Sequence, residues 1–499
     1  LKDFRRLELF FANSLTIDRH PFDTSTMAAA GATPASMQVE FDDLEASNVA
    51  APADTFSESI PTISTGGSSG TKAMAKPQGG LFRHGGTLPT AVCLSKAAIG
   101  AGVLSMSAHS AEVGLAYQLV GLCIGAFLTL VSIRMIAHAS IATGCWSYED
   151  ICEQLFHPSM SLLTGFVNVC NCLGSGAGYL IVCGQVFQVV TGADEHGRQL
   201  FILLMGIFVC APLALARHVS FMRHLAAVSV AALLLLVVAV IWFYGEHGVD
   251  ASVSTRSLWL GAGSVSIFSY MNSINNIVFA YNNQFNVPQL TGELTPAPTV
   301  QKMTVVSVTT VAMCFMLFSV VSLFGVLAFG NEGHQLDSLV LDLAPERREP
   351  LVMLALLGVM FSVLTCFQFH VFPIRQFAAY AARKARGRGI EDEASDVRYF
   401  GRTLTRWLDI FSALASVGII VLIALVVTSL KTILDFIGAF ASAYISYVVP
   451  PLWVIQVLRK QKGFTWWSAE VVSCLALFAL GSFFFVFGTY SAVSEAIAA

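Results

Sequence analysis

Charge is scarce in this chain. Asp, Glu, Lys and Arg make up 12% of its 499 residues while 55% are hydrophobic, against about 25% charged in soluble domains. A soluble core cannot absorb that excess, which excludes a purely soluble protein. The net charge of −4 says little about partners, and nucleic acid is not expected among them. No Asn-x-Ser/Thr sequon occurs, so glycosylation offers no guide to topology. Paired CxxC spacing for zinc is missing. So are HExxH and a P-loop, and with them the main support for an enzyme. Nine of the eleven cysteines fall in or beside apolar runs, and Cys145 and Cys152 lie in one short connection. They read as small packing residues, and no cofactor or metal is expected.

What is present in abundance is long apolar sequence. Runs of about 20 residues suffice to cross ~30 Å of hydrocarbon as helix. Eleven such spans are expected, near 88–110, 114–142, 160–190, 199–215, 225–244, 258–290, 303–330, 350–376, 406–428, 432–458 and 466–490. Barrel strands would alternate over roughly 10 residues. These runs are apolar on every face, so the expected class is all-α and polytopic, embedded in a lipid bilayer.

Residues 1–86 differ in character, rich in Ala, Ser, Thr, Gly and Pro, with TGGSSG at 65–70. They read as a disordered cytoplasmic tail that offers itself to a cytoplasmic partner. The chain opens on Leu1, as a fragment or a translated upstream stretch would, and Met27 is a candidate initiator. No signal peptide with a cleavage site is evident. Lys and Arg accumulate in short cytoplasmic loops. An inner N-terminus puts fourteen basic residues inside, among them Arg375, Arg383, Lys384 and Arg459, and five outside: Arg198, Arg256, Arg347, Arg348 and Lys431. The basic loop 383–406 is then cytosolic, and a short tail after Tyr490 lies outside.

Two spans are interrupted. Gly100-Ala101-Gly102 falls mid-way along the first and Tyr281-Asn282-Asn283-Gln284 within the sixth. Backbone that leaves the helical state inside a bilayer survives only where protein or a bound solute satisfies it. Paired breaks at corresponding positions point to a transporter. Each feature has a plainer reading: the glycines as close helix contacts, and Asn272, Asn275 and Asn276 as bridges between helices.

An ordered set of motifs carries a resemblance. Ile99-Gly100-Ala101-Gly102-Val103-Leu104-Ser105 stands in span 1 and Ser147-Tyr148-Glu149-Asp150 follows span 2. Phe279-Ala280-Tyr281 lies in span 6 with Glu293-Leu294 beyond it. Phe372-Pro373-Ile374-Arg375 ends span 8, and Phe436-Ile437-Gly438-Ala439 with Pro450 marks span 10. Over residues 88–458 the chain resembles the amino acid/auxin permease family, whose members have the leucine-transporter fold. The resemblance implies two inverted five-helix repeats, spans 1–5 and 6–10, forming a core over 87–458. Span 11 and a short extracellular end, 459–499, are then peripheral. It also implies a solute site for a free amino acid, neutral or cationic, built from Ile99, Gly100, Ala101, Gly102, Val103, Phe279, Ala280, Tyr281 and Asn282, with Tyr179 of span 3 over the solute. One departure stands out. Relatives carry proline where this chain has Ser107, so the local bend and pocket width are open.

The resemblance implies a coupling-ion site between spans 1 and 8. Ser362, Thr365 and Cys366 fall at i, i+3 and i+4 and share a helix face, as a sodium site between span 1 and span 8 would require. Alternatively the hydroxyls only bond one turn back. The resemblance implies that Lys96, one turn before Gly100, approaches the same place. A buried ammonium there would stand in for sodium and point to protons as the coupling ion, whereas a lysine snorkelling to the inner surface would not. Arg134 and His138 read as boundary residues. His370 is a second proton carrier or a structural histidine. Asp435 attracts a cationic solute or pairs with Lys431 at i−4. The expected function is sodium-independent, proton-coupled amino acid transport. A sodium-coupled symporter and an amino acid-sensing receptor compete with it, and a channel has little support. The expected residence is the plasma membrane, with a vacuolar or lysosomal membrane second.

Overall fold

The computed structural model describes residues 85–215, 222–261, 265–330, 338–343, 349–385, 401–461 and 464–498. The expectations for the tail before Gly85 and for most of the basic loop after Ala385 fall outside the described residues. Among the described residues the regular structure is helical throughout. The expected first span is two half-helices, α1 (Thr87–Ala98) and α2 (Met106–Val113), joined through the 3₁₀ turn Ala101–Ser105. It bends by 49° at this break. The long α3 (Leu115–Thr143) follows, then the short α4 (Tyr148–Leu155), α5 (Pro158–Thr191), α6 (Glu195–Leu215) and α7 (Met222–His247).

A short helix α8 (Thr255–Leu260) precedes the sixth span, which is α9 (Ile267–Ala280), the 3₁₀ turn Gln284–Asn286 and α10 (Val287–Gly292). Then come α11 (Val300–Phe329), the single-turn α12 (Leu339–Asp342), α13 (Pro350–Ala385), α14 (Gly401–Val426), α15 (Leu430–Arg459) and α16 (Ala469–Ile497). Nine of these are long and apolar enough to cross a membrane, and α1 with α2 makes ten. The sixth segment falls short of that measure because its unbroken stretch is only 14 residues.

Three boundaries differ from expectation. The sixth span begins nine residues late, because the Ser254–Ser257 cap opens a separate short helix α8, which ends at Gly261 where φ turns to +82°. Helix α13 runs through Pro373 to Ala385. Just past Pro373, Arg375 clamps Asp409 of α14 with two bonds of 2.6 and 2.5 Å, and at the far end Arg383 and Lys384 pair with Asp150 and Glu153 of α4. The last span likewise continues past Tyr490, where a free tail was expected, so that Ser491 and Glu495 bond to Phe268 and Asn272 of α9.

The centre is marked by burial. Within their apolar windows α5 and α15 are 78% and 83% buried, against 28% for α6 and 33% for α16, which face outward. Helix α5 can be central because small residues let neighbours close on its backbone. A methyl at Gly174 would lie 2.2 Å from Ile437 of α15, and one at Gly165 would lie 2.3 Å from Phe377 of α13. The Ser-Tyr-x-Asp motif also has a local cause. Ser147 caps α4 by accepting from the Asp150 amide at 3.1 Å and donating to the Asp150 carboxylate at 2.7 Å, which satisfies an otherwise orphan N–H of the first turn.

Candidate functional site

The first break is built by shape. Helix α1 closes with Ile99 N donating to Ser95 O at 2.7 Å, and Gly100 N turns back to Ala98 O at 2.8 Å. Gly100 then adopts φ −110°, ψ −135°, away from either regular region, and the chain re-enters as a 3₁₀ turn. The bend therefore forms at Ile99-Gly100 without the family's proline. Ser107, where that proline would stand, packs instead against Gly325 of α11. Both glycines are needed for close approach. A methyl at Gly100 would lie 2.7 Å from the Tyr179 hydroxyl, and one at Gly102 would lie 3.0 Å from Ala280 Cα and 3.1 Å from Phe279. The two breaks and Tyr179 thus meet, as expected. Ile99, Ala101 and Val103 are buried beside them and add only apolar surface. Ser105 ties the turn to α9 by donating to Asn276 Oδ1 at 2.8 Å.

The second break is built by polarity. Helix α9 ends as Asn282 N bonds Phe279 O at 2.9 Å and Asn283 N bonds Tyr281 O at 2.9 Å, both too tight for a helix to continue. The Asn282 amide donates to Asn171 Oδ1 of α5 at 2.7 Å and to Ser442 Oγ of α15 at 2.9 Å. Several buried polar atoms around it have no protein partner: Asn282 Oδ1, Asn171 Nδ2, Asn168 Oδ1 and both amide atoms of Asn283. An unpaired buried polar group costs about 1–3 kcal/mol, so such a cluster is suited to water or to a polar solute. Tyr281 points elsewhere. Its ring packs edge-on to Phe318 of α11 at 5.3 Å and lies against Gly125 of α3. Asn171 and Ser442 were missed in the sequence, where isolated small polar residues in apolar runs carry no periodic signal.

Between α1 and α13 a lysine makes the contact. Lys96, fully buried, donates through Nζ to Ser362 O at 2.7 Å and to the Ser362 hydroxyl. Cys366 Sγ closes the other side on Lys96 O at 3.2 Å. This side chain does not snorkel. Thr365 turns away, donating to Ser362 O at 2.7 Å and meeting Ser229 of α7 at 2.6 Å. Only two of the three residues on the expected face therefore address α1.

His370 lies between this contact and Tyr179 beside the first break. Its Nδ1 lies 3.1 Å from Cys366 O. A carbonyl can only accept, so Nδ1 carries the hydrogen and Nε2 faces the Tyr179 hydroxyl at 3.5 Å as acceptor. The ring is boxed by Tyr179 and Phe285, with centroids at 5.1 and 4.9 Å. That is the structural histidine of the two readings. The asparagines divide: Asn272 and Asn275 bond α16 through Glu495 and Gly488, whereas Asn276 meets Ser105 of the first break and Met106 of α2. Above the first break α12 packs over α5, with Ser338 donating to Gln185 at 2.7 Å. Its Asp342 is buried with Oδ1 unpartnered, and burial pushes that carboxyl up to about 8.

Comparison with known proteins agrees with this geometry. The Saccharomyces cerevisiae protein named vacuolar amino acid transporter 5 is 21% identical, over 76% of this chain and 90% of its own length. The Schizosaccharomyces pombe protein of the same name is 21% identical, over 73% of this chain and 83% of its own. Amino acid transporter AVT6D of Arabidopsis thaliana is 25% identical over 50% and 60%. Among solved structures, the nucleobase-cation-symport-1 family transporter Mhp1, closed around bromovinylhydantoin, superposes with a TM-score of 0.50 at 15% identity. That match covers 82% of this chain and 91% of that one, a likeness of fold alone. The family model described as transmembrane amino acid transporter protein matches residues 83–494. The chain is therefore an integral membrane protein of the transmembrane amino acid transporter family, a transporter and not an enzyme.

Proposed function

We propose that this protein is a secondary active transporter that carries free α-amino acids by alternating access, independently of sodium and driven by protons. The observation that carries the reading is Lys96. Its ammonium sits on the Ser362 carbonyl and hydroxyl, where a hard cation would find oxygen ligands, and a tethered charge leaves no room for a mobile one. Release of a proton from this buried amine is the coupling step. The solute lies at the junction of Gly100, Gly102, Phe279 and Ala280 under Tyr179. The first N–H groups of the turn at Ala101 have no acceptor within that turn and suit a carboxylate, while carbonyls ending α1 and α9 suit an ammonium. The unpaired amides near Asn282 favour a solute with polar reach, neutral or cationic.

In this reading α9 and α10 together form an eleventh span, giving a 5+5 inverted repeat with α16 peripheral, and the N-terminus faces the cytosol. Yeast relatives named as vacuolar transporters favour a vacuolar membrane over the plasma membrane. The test is uptake into proteoliposomes from a panel of the twenty amino acids, under imposed sodium or proton gradients. Accumulation that follows the proton gradient and drops at least tenfold in Lys96→Ala is expected. Steep sodium dependence that persists in Lys96→Ala rejects the coupling, and binding without flux marks a sensor.

A further inference from the structure

In the transport reading the end of the molecule that holds α2, α8 and α12 faces outward. The carboxylates packed between its helices each have a cation beside them, with one exception. Asp435 of α15 meets His109 of α2 at 3.2 Å and lies in the field of Lys431 one turn back, as its spacing suggested. Glu112 of α2 and Glu495 of α16 reach the same Lys431 at 2.9 and 3.4 Å. Asp342 of α12 has no such partner. It is only 4% exposed, its Oδ1 makes no hydrogen bond, and no charged side chain among the described residues acts on it. Arg198, which crosses α5 at Gly184, turns its fork to Glu195 at 2.8 and 2.5 Å instead. A carboxyl held in such a place is short of one cation.

The position of α12 says which cation can come. Leu339, Val340 and Leu343 are fully buried, and the helix packs on α5 and on the turn Ala101–Ser105 of the first break. Ser338 pins it to Gln185 at 2.7 Å. Gln185 lies six residues beyond Tyr179 on α5, about 9 Å along the helix at ~1.5 Å per residue. Asp342 therefore stands about one long side chain above the junction where the solute's α-groups are held. A lysine or arginine side chain carries its charge across that gap, and a short or aliphatic one brings none.

We propose that Asp342 forms a subsite for the cationic end of a basic amino acid, an ammonium or guanidinium, whose α-groups rest at the first break. When the cation arrives, the neutral carboxyl gives its proton to solvent and becomes the carboxylate of an ion pair with the solute. Charge is then recognised from α12, while the amides of the second break serve uncharged polar side chains. The inference rests on the solute site of the transport reading and extends it to basic amino acids.

Binding to the purified full chain in detergent tests it, with arginine set against citrulline, which has the same shape without the charge. Arginine is expected to bind at least tenfold more tightly than citrulline, and D342N to bring the two within twofold by weakening arginine alone. D342E, which keeps the carboxylate, should recover much of the preference. At pH 6.5, calorimetry in buffers of different ionisation enthalpy should show arginine binding release close to one proton in the wild type and none in D342N. Equal or absent binding of both ligands to the wild type overturns the proposal, as does an arginine preference that persists in D342N. A lost preference without proton release in the wild type makes Asp342 merely structural and also overturns the subsite. Charge-selective binding without uptake into proteoliposomes sinks the transport reading and leaves the subsite standing. Uptake that carries arginine and citrulline alike does the reverse. Should D342N fail to insert, the two ligands and the proton count in the wild type still decide.

Discussion

The two breaks do the same mechanical work by opposite means. In span 1 the helix stops because of shape: two glycines let Tyr179, Phe279 and Ala280 close to van der Waals contact, and the flanking residues are apolar. In span 6 it stops because of polarity: consecutive amides pull the backbone into tight turns and leave donors and acceptors without protein partners. A shape-made break is intolerant of added volume and indifferent to side-chain chemistry. A polarity-made break is the reverse. In the proposed transport reading the carboxylate falls to the first break, the ammonium to the helix ends at both, and the solute's variable part to the second.

Adding volume at the first break gives the largest effect. Gly102→Val has no space to fill, since the nearest atom is the Ala280 backbone, which cannot rotate away. Overpacking of this kind costs about 1–3 kcal/mol, and here it falls on the solute junction. Uptake of every amino acid should drop by about a hundredfold or more, with insertion and monodispersity retained. Gly100→Ala should do less, because its obstacle is a tyrosine side chain, and Gly100→Ala with Tyr179→Phe should recover part of the loss. Uptake kinetics decide it: a substrate-selective loss in Gly102→Val would break the comparison.

Removing polarity at the second break gives a smaller and more selective change. Asn282→Ala deletes the donor shared by Asn171 and Ser442. Competition constants for solutes with polar side chains should weaken about three- to tenfold, the worth of one hydrogen bond of about 1 kcal/mol, while aliphatic solutes shift less than twofold. Ser442→Ala should move the order of preference in the same direction by less. A uniform loss across the panel would mean that the amides serve the backbone and not the solute.

This asymmetry also explains what could be read beforehand. Gly100, Gly102, Phe279 and Ala280 were legible because a glycine pair inside an apolar run and an amide run inside another are local anomalies. Lys96 was legible as a charge where lipid forbids one, and its partner Ser362 from helical spacing. Asn171, Ser442 and His109 were not, since each sits singly in its helix and acquires meaning from a partner 160, 271 or more positions away or from a helix crossing. The direction of Tyr281 was illegible for a related reason. At a break the side-chain rotation no longer follows the helical period, so the residue turns toward α3 and α11. Boundaries slipped where tertiary bonds outvoted local signals, as in α13, whose Arg375 to Lys384 segment is anchored by Asp409, Asp150 and Glu153.

The smallest expected effect lies outside both breaks and tests whether they are the whole of selectivity. Glu149 of α4 is 2% exposed with Oε1 unpartnered, and burial first, then neighbouring Asp150, pushes its carboxyl from 4.5 up to about 7. A carboxyl raised in the folded protein binds more protons there than in the unfolded chain between about 4.5 and 7. Stability is therefore greatest below that window and declines as pH rises through it, by on the order of 3 kcal/mol at most. Glu149→Gln removes the penalty of ionising in place. Its midpoint of thermal unfolding in detergent should exceed wild type by a few degrees at pH 8 and converge with it at pH 5. The amino acid preference order should stay as in wild type, because α4 touches neither break. A parallel pH slope in both proteins would show that Glu149 is already paired when ionised. A changed preference order would show that α4 reaches the solute site through α5, whose Ser161 bonds the Glu149 carbonyl at 2.7 Å, and the division of labour between the two breaks would then need a third party.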